Sequence, residues 1–415
     1  MQRCEAGLMK NVQFFVPVAA ARADLDTVLR TASGLRLLAP FDPMLVDFVV
    51  AFAKSILLDR TSREYPELVV LGNFFRTARI ERLKRALMME EGAACFGRGL
   101  VFHIAPSNVD SVFLYSSLLS VLCGNINIVR ISRNAGPQLR FVLDKLERAL
   151  AQAGLGERFY VLTYEHDDAI TTRISAQCHM RVVWGGDATV SKIRSLPLRP
   201  TATELCFPDR FSAAMLRADA INALDTAALD LLCGDFYNDA IWFAQQACSS
   251  PRLVAWIGDE QACTTARLRF WQSFAQVLKH KDFENSSGMA MDRFVTACLV
   301  ATEPTHRDTT ALGFPTRILM NSAPLAAAKH HHRGNGLFYE QCFGDVPAFL
   351  STLSDQEQTL SVFGYEGPEM AQWLGDLPMR SVDRITKVGH ALDFNEIWDG
   401  TRLLQAFTRR ISIEL

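Results

Sequence analysis

Hydrophobic positions in the first part of the chain recur at helical intervals. Between Asp24 and about Glu91, apolar residues return every three or four positions, which is the spacing of one face of an α-helix. The densest cluster comprises Val46, Phe48, Val49, Val50 and Phe52. The pattern predicts a helical N-terminal region over residues 1–92.

Further along, short apolar runs alternate with amphipathic helical segments. The predicted strands are Leu100–Ala105, Ile126–Ile131, Phe159–Leu162 and Met180–Trp184, and the predicted helices are Val112–Leu122 and Gln138–Ala151. Strands that alternate with helices are typical of a parallel sheet covered on both faces. Residues 93–222 are therefore predicted to form a doubly wound α/β domain.

The second half of the chain repeats this organisation. A long helical stretch, Asp219–Ala247, precedes a predicted strand at Leu253–Ile257 and a helix at Thr265–Leu278, and Asp282–Ser287 is predicted to be a surface loop. A second α/β domain is predicted over residues 223–378, with residues 379–415 closing the fold.

The composition and net charge limit the classes of molecule that the protein is expected to bind. Hydrophobic residues make up 49% and charged residues 21% of the 415 residues, a balance typical of globular proteins large enough for two domains. The formal net charge of -2 gives no electrostatic reason to bind nucleic acid or an anionic membrane. No apolar run reaches the length of a membrane span. We expect a substrate that is a small molecule or is carried by a protein.

Cysteine spacing and the N-terminus bear on the compartment. The ten cysteines are scattered and form no C-x-x-C pair, which favours a reducing, cytoplasmic location. The apolar stretch Val12–Ala21 has basic residues before it and could suggest a signal peptide, but Pro17 interrupts it. We therefore predict a strand there.

Cys248 is the best candidate for a nucleophile. A reactive cysteine needs a partly exposed, electropositive setting, because the thiolate is the attacking species. Cys248 follows a helical stretch, precedes the turn formers Ser249, Ser250 and Pro251, and has Arg252 nearby to favour negative charge. A buried structural cysteine is the alternative interpretation.

Several segments, in order, resemble the aldehyde dehydrogenase superfamily and specifically its LuxC-type fatty-acyl reductases. They are Leu100–Asn108 (LVFHIAPSN), Leu122–Arg130 (LCGNINIVR), Val183–Asp187 (VWGGD), Asp235–Asp239 (DFYND), Gln246–Ser249 (QACS) and the stretch from Gly389 to Gly400. The resemblance extends from about Gly97 to the C-terminus. It implies an aldehyde dehydrogenase-like α/β fold with two doubly wound domains, of which residues 93–222 bind a nicotinamide cofactor and residues 223–378 carry the catalytic thiol.

The resemblance also assigns three catalytic roles. Cys248 occupies the position of the family's catalytic thiol, and Asn108 that of the amide that stabilises the oxyanion, although Asn108 could also cap a helix. Glu204 occupies the position of the general base. The glycines that usually follow this glutamate are absent from Thr203–Phe207, so Glu204 could instead be an ordinary surface carboxylate.

The implied cofactor contacts come from three segments. Gly185 and Gly186 match a turn over the pyrophosphate, where the N–H groups of a helix start suit phosphate. Phe343 matches a residue near the nicotinamide and its ribose, but Gln341 replaces the family's ribose-binding glutamate. The remaining implied contacts, near the adenosine ribose, are Arg130, Ser132 and Arg133.

The charge at position 133 bears on cofactor choice. Arg133 stands where the family usually has a glutamate that repels a 2′-phosphate, which predicts NADPH in preference to NADH. The alternative is a solvated loop arginine. Gly97, Arg98 and Gly99 are not a dinucleotide fingerprint, because Phe102 occupies the third glycine position.

The implied reaction is NADPH-dependent reduction of an acyl thioester to an aldehyde through an acyl-Cys248 intermediate. The acyl donor is expected to be acyl-CoA or an acyl or peptidyl carrier protein, with an acyl-transferring partner subunit and a homo-oligomer as further expectations. The alternatives are an aldehyde-oxidising dehydrogenase, an acyl-phosphate reductase and a non-redox acyl-carrying scaffold. No metal is expected, since His330, His331 and His332 are adjacent and are predicted to lie in a solvated loop.

Overall fold

The computed structural model of the protein describes residues 12–88, 93–105, 112–132, 136–281, 283, 285–322, 326–375 and 380–414. The chain divides into two compact units. Unit 1 comprises residues 1–208 and 394–415, and unit 2 comprises residues 209–393.

Strands and helices alternate through most of both units. The strands are β1 (Gln13–Val16), β2 (Ala93–Gly97), β3 (Leu100–Ile104), β4 (Ile126–Arg130), β5 (Phe159–Thr163), β6 (Met180–Trp184), β7 (Thr203–Phe207), β8 (Phe211–Arg217), β9 (Leu253–Ile257), β10 (His306–Ala311), β11 (Thr316–Met320), β12 (Leu337–Phe343), β13 (Glu357–Phe363), β14 (Arg384–Lys387), β15 (Ile397–Trp398), β16 (Thr401–Arg402) and β17 (Thr408–Ser412). The α-helices are α1 (Leu25–Gly34), α2 (Pro43–Leu58), α3 (Pro66–Phe74), α4 (Thr77–Met88), α5 (Val112–Leu122), α6 (Pro137–Ala153), α7 (Asp168–Gln177), α8 (Asp187–Arg194), α9 (Ala218–Asn222), α10 (Thr226–Ala240), α11 (Glu260–Lys281), α12 (Ser287–Val300), α13 (Ala326–His331), α14 (Val346–Leu350), α15 (Gly367–Gly375) and α16 (Leu403–Ala406).

Local sequence signals set several helix ends. The Asp42 carboxylate accepts a hydrogen bond from the Met44 N–H, and Pro43 occupies the first turn of α2. Helix α6 likewise begins at a proline and ends at Gly154, whose φ of 65° lies in the left-handed region that favours glycine. These helices therefore begin and end where the sequence alone indicates.

The sheet of unit 1 is doubly wound. Its strand order is β1-β5-β4-β3-β6-β7, and its pairs are parallel apart from the antiparallel pair of β1 and β5. The chain moves from β3 toward β4 and β5 on one side and later toward β6 and β7 on the other. The crevice at the carboxyl ends of β3 and β6 is therefore the topological switch point, where ligands of such sheets usually bind.

Apolar clusters cover both faces of this sheet. Side chains from α2 to α6 pack on one face, and side chains from α1, α7 and α8 pack on the other. The terminal segments are part of the same unit, because β17 pairs with β2 and because Leu403, Leu404 and Phe407 enter the first of these clusters.

Unit 2 has a seven-stranded sheet with the order β10-β11-β12-β9-β8-β13-β14. Its pairs are parallel except for that of β10 and β11. Two apolar clusters cover its faces, one of them rich in aromatic rings from α10 and α11. The prediction of two doubly wound α/β domains with a helical N-terminal region is confirmed.

The predicted boundaries need correction. The division falls at 208/209 rather than at 222/223, because β8 is a central strand of the second sheet. The segment 379–415 is split between the units, and the predicted helix Asp219–Ala247 is broken into α9, α10 and a 3₁₀ turn at Trp242–Gln245. Within the described part of the chain, no helix combines the length and apolarity that crossing a membrane requires.

Candidate active site

Cys248 lies in a turn at the amino edge of the second sheet. Helix α10 ends at Ala240, the 3₁₀ turn follows, and the thiol-bearing residue is partly exposed, as the sequence predicted. The Ser212 hydroxyl donates a hydrogen bond of 2.7 Å to the Cys248 carbonyl, and the Arg252 N–H donates to the Ser212 carbonyl. The backbone on either side of the thiol is thus tied to the start of β8.

The backbone before this turn is left-handed over three consecutive residues. Phe243, Ala244 and Gln245 have φ values of 56°, 51° and 62°. Residues other than glycine adopt this region at a cost of about 1–2 kcal/mol each, so neighbouring contacts must stabilise it. The sequence gives no indication of this left-handed conformation, because residues 243–245 include no glycine.

The buried side chain of Gln245 supplies four of these contacts. Its amide nitrogen donates to the carbonyls of Pro251 (2.8 Å) and Leu337 (3.0 Å). Its amide oxygen accepts from the N–H groups of Gly336 (3.0 Å) and Leu337 (3.1 Å). The side chain therefore joins the thiol turn to the beginning of β12, and sequence reasoning had missed it.

A second turn packs against the first. Gly334 has a φ of 70°, and a Cβ atom there would lie 2.8 Å from both the Gln245 carbonyl oxygen and the Gln246 amide nitrogen. Buried His332 accepts a hydrogen bond from the Gly334 N–H at Nδ1 and donates to the Leu337 carbonyl from Nε2. Only glycine fits this close approach of two backbones.

The electrostatics of the thiol turn are governed by Arg252. Burial lowers the pKa of Arg252, and its attraction to Cys248 is the largest opposing effect. Burial holds the pKa of His332 well below its ordinary value, and Arg252 lowers it further, so this imidazole is neutral. The positive charge beside Cys248 therefore comes from a guanidinium, which favours the thiolate.

The position of His332 differs from the prediction that all three adjacent histidines lie in a solvated loop. Of the three adjacent histidines, His330 is exposed, His331 is partly exposed, and His332 is in the core rather than in a solvated loop. Among the described residues, no group of three or more His, Cys, Asp or Glu side chains could hold a metal ion.

Glu204 has a structural partner. It lies on β7 opposite Arg181 of β6, and its carboxylate accepts a 2.6 Å hydrogen bond from Arg181 Nε. The Arg181 side chain is only 1% exposed and also donates to the Ser175 hydroxyl, while Arg194 lies 3.6 Å from the other carboxylate oxygen. Glu204 is thus the counter-ion of a buried guanidinium and neither a free base nor an ordinary surface carboxylate.

Four of the expected cofactor residues, Arg130, Ser132, Gly185 and Gly186, lie at the carboxyl edge of the first sheet. Arg130 ends β4, packs its guanidinium 4.9 Å from the ring centroid of Tyr164, and keeps a buried Nε without a hydrogen-bond partner. Gly185 follows β6, and Gly186 begins α8 without a side-chain cap. Unsatisfied donors at this edge fit the phosphates and ribose of a dinucleotide.

Other predicted site residues are placed differently. Asn108 and Arg133 lie outside the described residues, and Ser132 is partly exposed just after β4. The ring of Phe343 is buried in the core of unit 2, 5.1 Å from that of Phe349, so it has a packing role there. The adjacent Cys342 is joined to Cys263 in a disulfide that the scattered spacing did not predict.

Two of the resembling motifs hold each other in unit 2. Buried Asp239 accepts hydrogen bonds from the N–H groups of Gly389 (2.7 Å) and Ala391 (2.8 Å) and from the Ser361 hydroxyl. Burial raises the pKa of Asp239 to about 6, although these bonds lower it. Gly389 has a φ of 95°, and a Cβ atom there would lie 2.9 Å from the Cβ of Asp235. The motif at residues 235–239 therefore holds the segment around Gly389 in place.

Aromatic residues cluster in unit 1 near the end of β6. Trp184 stacks on Phe207 with ring centroids 3.8 Å apart and meets Trp398 edge-on. Tyr115 packs between Phe394 and Trp398 at 4.6 and 5.3 Å. The segment after residue 393 thus contributes to the core of unit 1.

Solved structures share this architecture. An NAD-dependent benzaldehyde dehydrogenase from Corynebacterium glutamicum is 14% identical, with a TM-score of 0.64 and coverage of 94% of this chain and 89% of that one. An NAD-dependent aldehyde dehydrogenase from Sinorhizobium meliloti is 14% identical, with a TM-score of 0.65 and coverage of 93% of this chain and 85% of that one. Aldehyde dehydrogenase 21 from Physcomitrella patens, in complex with the reaction product succinate, is 11% identical, with a TM-score of 0.66 and coverage of 94% of this chain and 89% of that one. The protein has the fold of the aldehyde dehydrogenases.

A family model narrows this class. Residues 83–278 match the model described as acyl-CoA reductase (LuxC). This match agrees with the resemblance of the motifs to LuxC-type reductases, and the similar solved structures show the same fold. A search of curated proteins finds no significant match.

The Glu204 ion pair generates a stability prediction. We expect Glu204→Gln to lower the free energy of unfolding of unit 1 by about 3 kcal/mol, because it leaves the buried Arg181 charge unpaired. Urea unfolding followed by circular dichroism measures the change. Arg194→Gln is the matched control, and its loss should stay below about 1 kcal/mol because that partner is 66% exposed. Equal losses in the two variants would contradict the assignment.

Gln245 generates a second prediction. Gln245→Ala removes four hydrogen bonds and leaves the Pro251 carbonyl and the Gly336 N–H without the partner that Gln245 supplies. Each such group costs about 1–3 kcal/mol, so we expect unit 2 to lose roughly 3 kcal/mol or more. Alkylation of Cys248 by iodoacetamide, followed by mass spectrometry, should become faster as the turn loosens. Gln246→Ala is the neighbouring control, since in the described structure the Gln246 side chain bonds to Arg333 and Asn335 and to neither β9 nor β12. Wild-type unfolding and alkylation in Gln245→Ala would disprove this role.

Proposed function

We propose that the protein reduces an acyl thioester to an aldehyde, with NADPH as reductant and Cys248 as the nucleophile. The acyl donor is acyl-CoA or an acyl group on a carrier protein. The observation that carries the proposal is the partly exposed Cys248 in a braced turn beside Arg252, within a segment that matches the acyl-CoA reductase (LuxC) family.

The first half of the proposed reaction loads the enzyme. The Cys248 thiolate attacks the thioester carbonyl carbon, and the carbon–sulfur bond to the carrier breaks as the carrier thiolate leaves. Thiolates are good leaving groups, so no strong acid is needed. Arg252 stabilises the attacking anion, and Asn108 is the proposed amide donor to the tetrahedral oxyanion.

The second half releases the product. The reduced nicotinamide supplies a hydride, which must reach the carbonyl carbon of the acyl-Cys248 thioester. The thiohemiacetal anion then collapses, the bond from carbon to Cys248 sulfur breaks, and free aldehyde and the Cys248 thiolate are formed. Arg130, Ser132, Arg133, Gly185 and Gly186 are proposed to hold the cofactor.

The partner of Glu204 supports reduction over the oxidative alternative. An aldehyde dehydrogenase hydrolyses its acyl-enzyme with a water molecule that a free carboxylate activates. Glu204, the proposed equivalent of that carboxylate, is instead bonded to Arg181. A carboxylate whose oxygen already accepts from Arg181 is not free to orient a water molecule, so hydride transfer competes well with hydrolysis. The folded fraction of Glu204→Gln should therefore keep its reductase activity.

The covalent step is tested with Cys248→Ala. We expect this variant to lose aldehyde formation, followed as NADPH oxidation with a panel of acyl-CoAs, and to lose the acyl adduct seen by intact mass. Cys298→Ala is the matched control because Cys298 is an exposed free cysteine on α12. A folded Cys248→Ala protein that produces aldehyde at the wild-type rate would exclude the covalent mechanism.

Cofactor choice is tested at residue 133. We expect wild type to prefer NADPH and Arg133→Glu to reduce that preference about tenfold or more, because a charge-assisted contact to phosphate is worth about 1.5–3 kcal/mol. The measurement is kcat/KM for NADPH and NADH in both proteins. Arg140→Glu, on the exposed face of α6, controls for the change of charge. A wild-type preference for NADH would reject the assignment and leave the Cys248 mechanism intact.

A further inference from the structure

Unit 1 contains a cavity at the edge of its sheet opposite the proposed cofactor contacts. The cavity has a volume of about 370 Å³, within the range of small-molecule sites. It opens beside the amino ends of β3 and β4, at Leu100 and Ile126, whereas Arg130 and Gly185 follow the carboxyl ends of their strands. The cavity is therefore a separate place from the proposed cofactor site.

Basic side chains line part of this cavity. Arg98, His179 and Arg409 face it, and Arg199 lies next to His179 with its Nη1 3.2 Å from the imidazole Nε2. Among the described residues, no carboxylate forms an ion pair with any of these three arginines. The described structure thus gives these arginines no carboxylate counter-ion.

The hydrogen bonds of His179 leave two donors facing each other without an acceptor between them. The Leu100 backbone N–H donates to Nδ1 at 3.0 Å, so the ring hydrogen is on Nε2. Nε2 then faces the guanidinium of Arg199, which is also a donor. Burial lowers the pKa of His179, and Arg199 and Arg409 lower it further, so the ring stays neutral. An acceptor bound beside the two donors would satisfy both.

A glycine allows the backbone to approach His179 closely beside the cavity. Gly99 has a φ of 126°, and a Cβ atom there would lie 2.6 Å from His179 Nδ1. Its N–H donates to the Asn125 side chain at 2.9 Å, and Arg98 Nε donates to the Ala406 carbonyl. The Gly97-Arg98-Gly99 segment, which is not a dinucleotide fingerprint, therefore shapes this cavity.

Apolar residues also line the cavity. They are Ala32, Leu35, Leu37, Leu100 and Ile126, and Ser33 and Thr201 are also part of the lining. A bare inorganic anion would leave the apolar side chains without contacts. A ligand with an anionic head and a short apolar body would contact both the basic and the apolar residues.

We propose that this cavity binds a small organic anion, with a carboxylate or phosphate monoester head held by Arg199, Arg409 and His179 and an apolar portion against Leu35 and Leu37. Carboxylate and phosphate are the anions whose geometry suits guanidinium groups. The proposal is independent of the acyl chemistry proposed for Cys248.

Binding of octanoate and octyl phosphate to the full chain tests the proposal by isothermal titration calorimetry. We expect saturable binding of at least one, and whichever binds more tightly identifies the head group. Octanol and inorganic phosphate, which each lack one half of the ligand, should bind at least tenfold more weakly. Octanol binding as tightly as octanoate and octyl phosphate, or no saturable binding of either anion, would overturn the proposal.

Variants locate the site. Arg199→Gln and Arg409→Gln should each weaken binding about tenfold or more, as expected for loss of a charge-assisted hydrogen bond. Arg82→Gln, an exposed arginine on α4, is the matched control and should bind like wild type. Folding is checked by thermal unfolding, and turnover with acyl-CoA should be unchanged in both pocket variants. Wild-type affinity in both pocket variants would place the binding elsewhere and disprove the assignment.

Discussion

The left-handed run from Phe243 to Gln245 is the constraint on which the placement of Cys248 depends. Three consecutive residues without glycine occupy a costly conformation, so it persists only because surrounding contacts hold it. The Gln245 amide ties the run to β12, and Gly334 allows the second turn to approach. A strained backbone fixed by buried hydrogen bonds keeps the Cys248 thiol in one position, which a flexible loop could not do.

Parallel sheets explain where chemistry collects in each unit. Because the strands of a doubly wound sheet run in one direction, every loop after a strand meets at one edge and every loop before a strand meets at the other. In unit 1 the first edge holds Arg130 and Gly185, and the second holds the basic cavity around His179. Both faces are covered by apolar clusters, so the edges are the places left for polar ligands.

Charged side chains are neutralised differently at three places. Buried Arg181 is neutralised by Glu204 across neighbouring strands, and buried Asp239 is held by two backbone N–H groups and a hydroxyl. Since an unpaired buried charge is costly, these two arrangements stabilise the fold. The arginines at the cavity are partly or fully exposed and have no carboxylate partner in the described structure, so they are suited to the anion proposed above.

By itself, the sequence determined much of the local structure and the resemblance to a family. Hydrophobic periodicity located strands such as Met180–Trp184 and Leu253–Ile257 at their observed bounds, and ordered motifs indicated the LuxC-type class. Only the tertiary structure determined that the Glu204 carboxylate is paired, that His332 is buried and that the units divide at residues 208/209. Glu204 meets Arg181, and Gln245 meets β12, through contacts between residues far apart in the chain. Such contacts depend on strand order and register, and no local pattern encodes them.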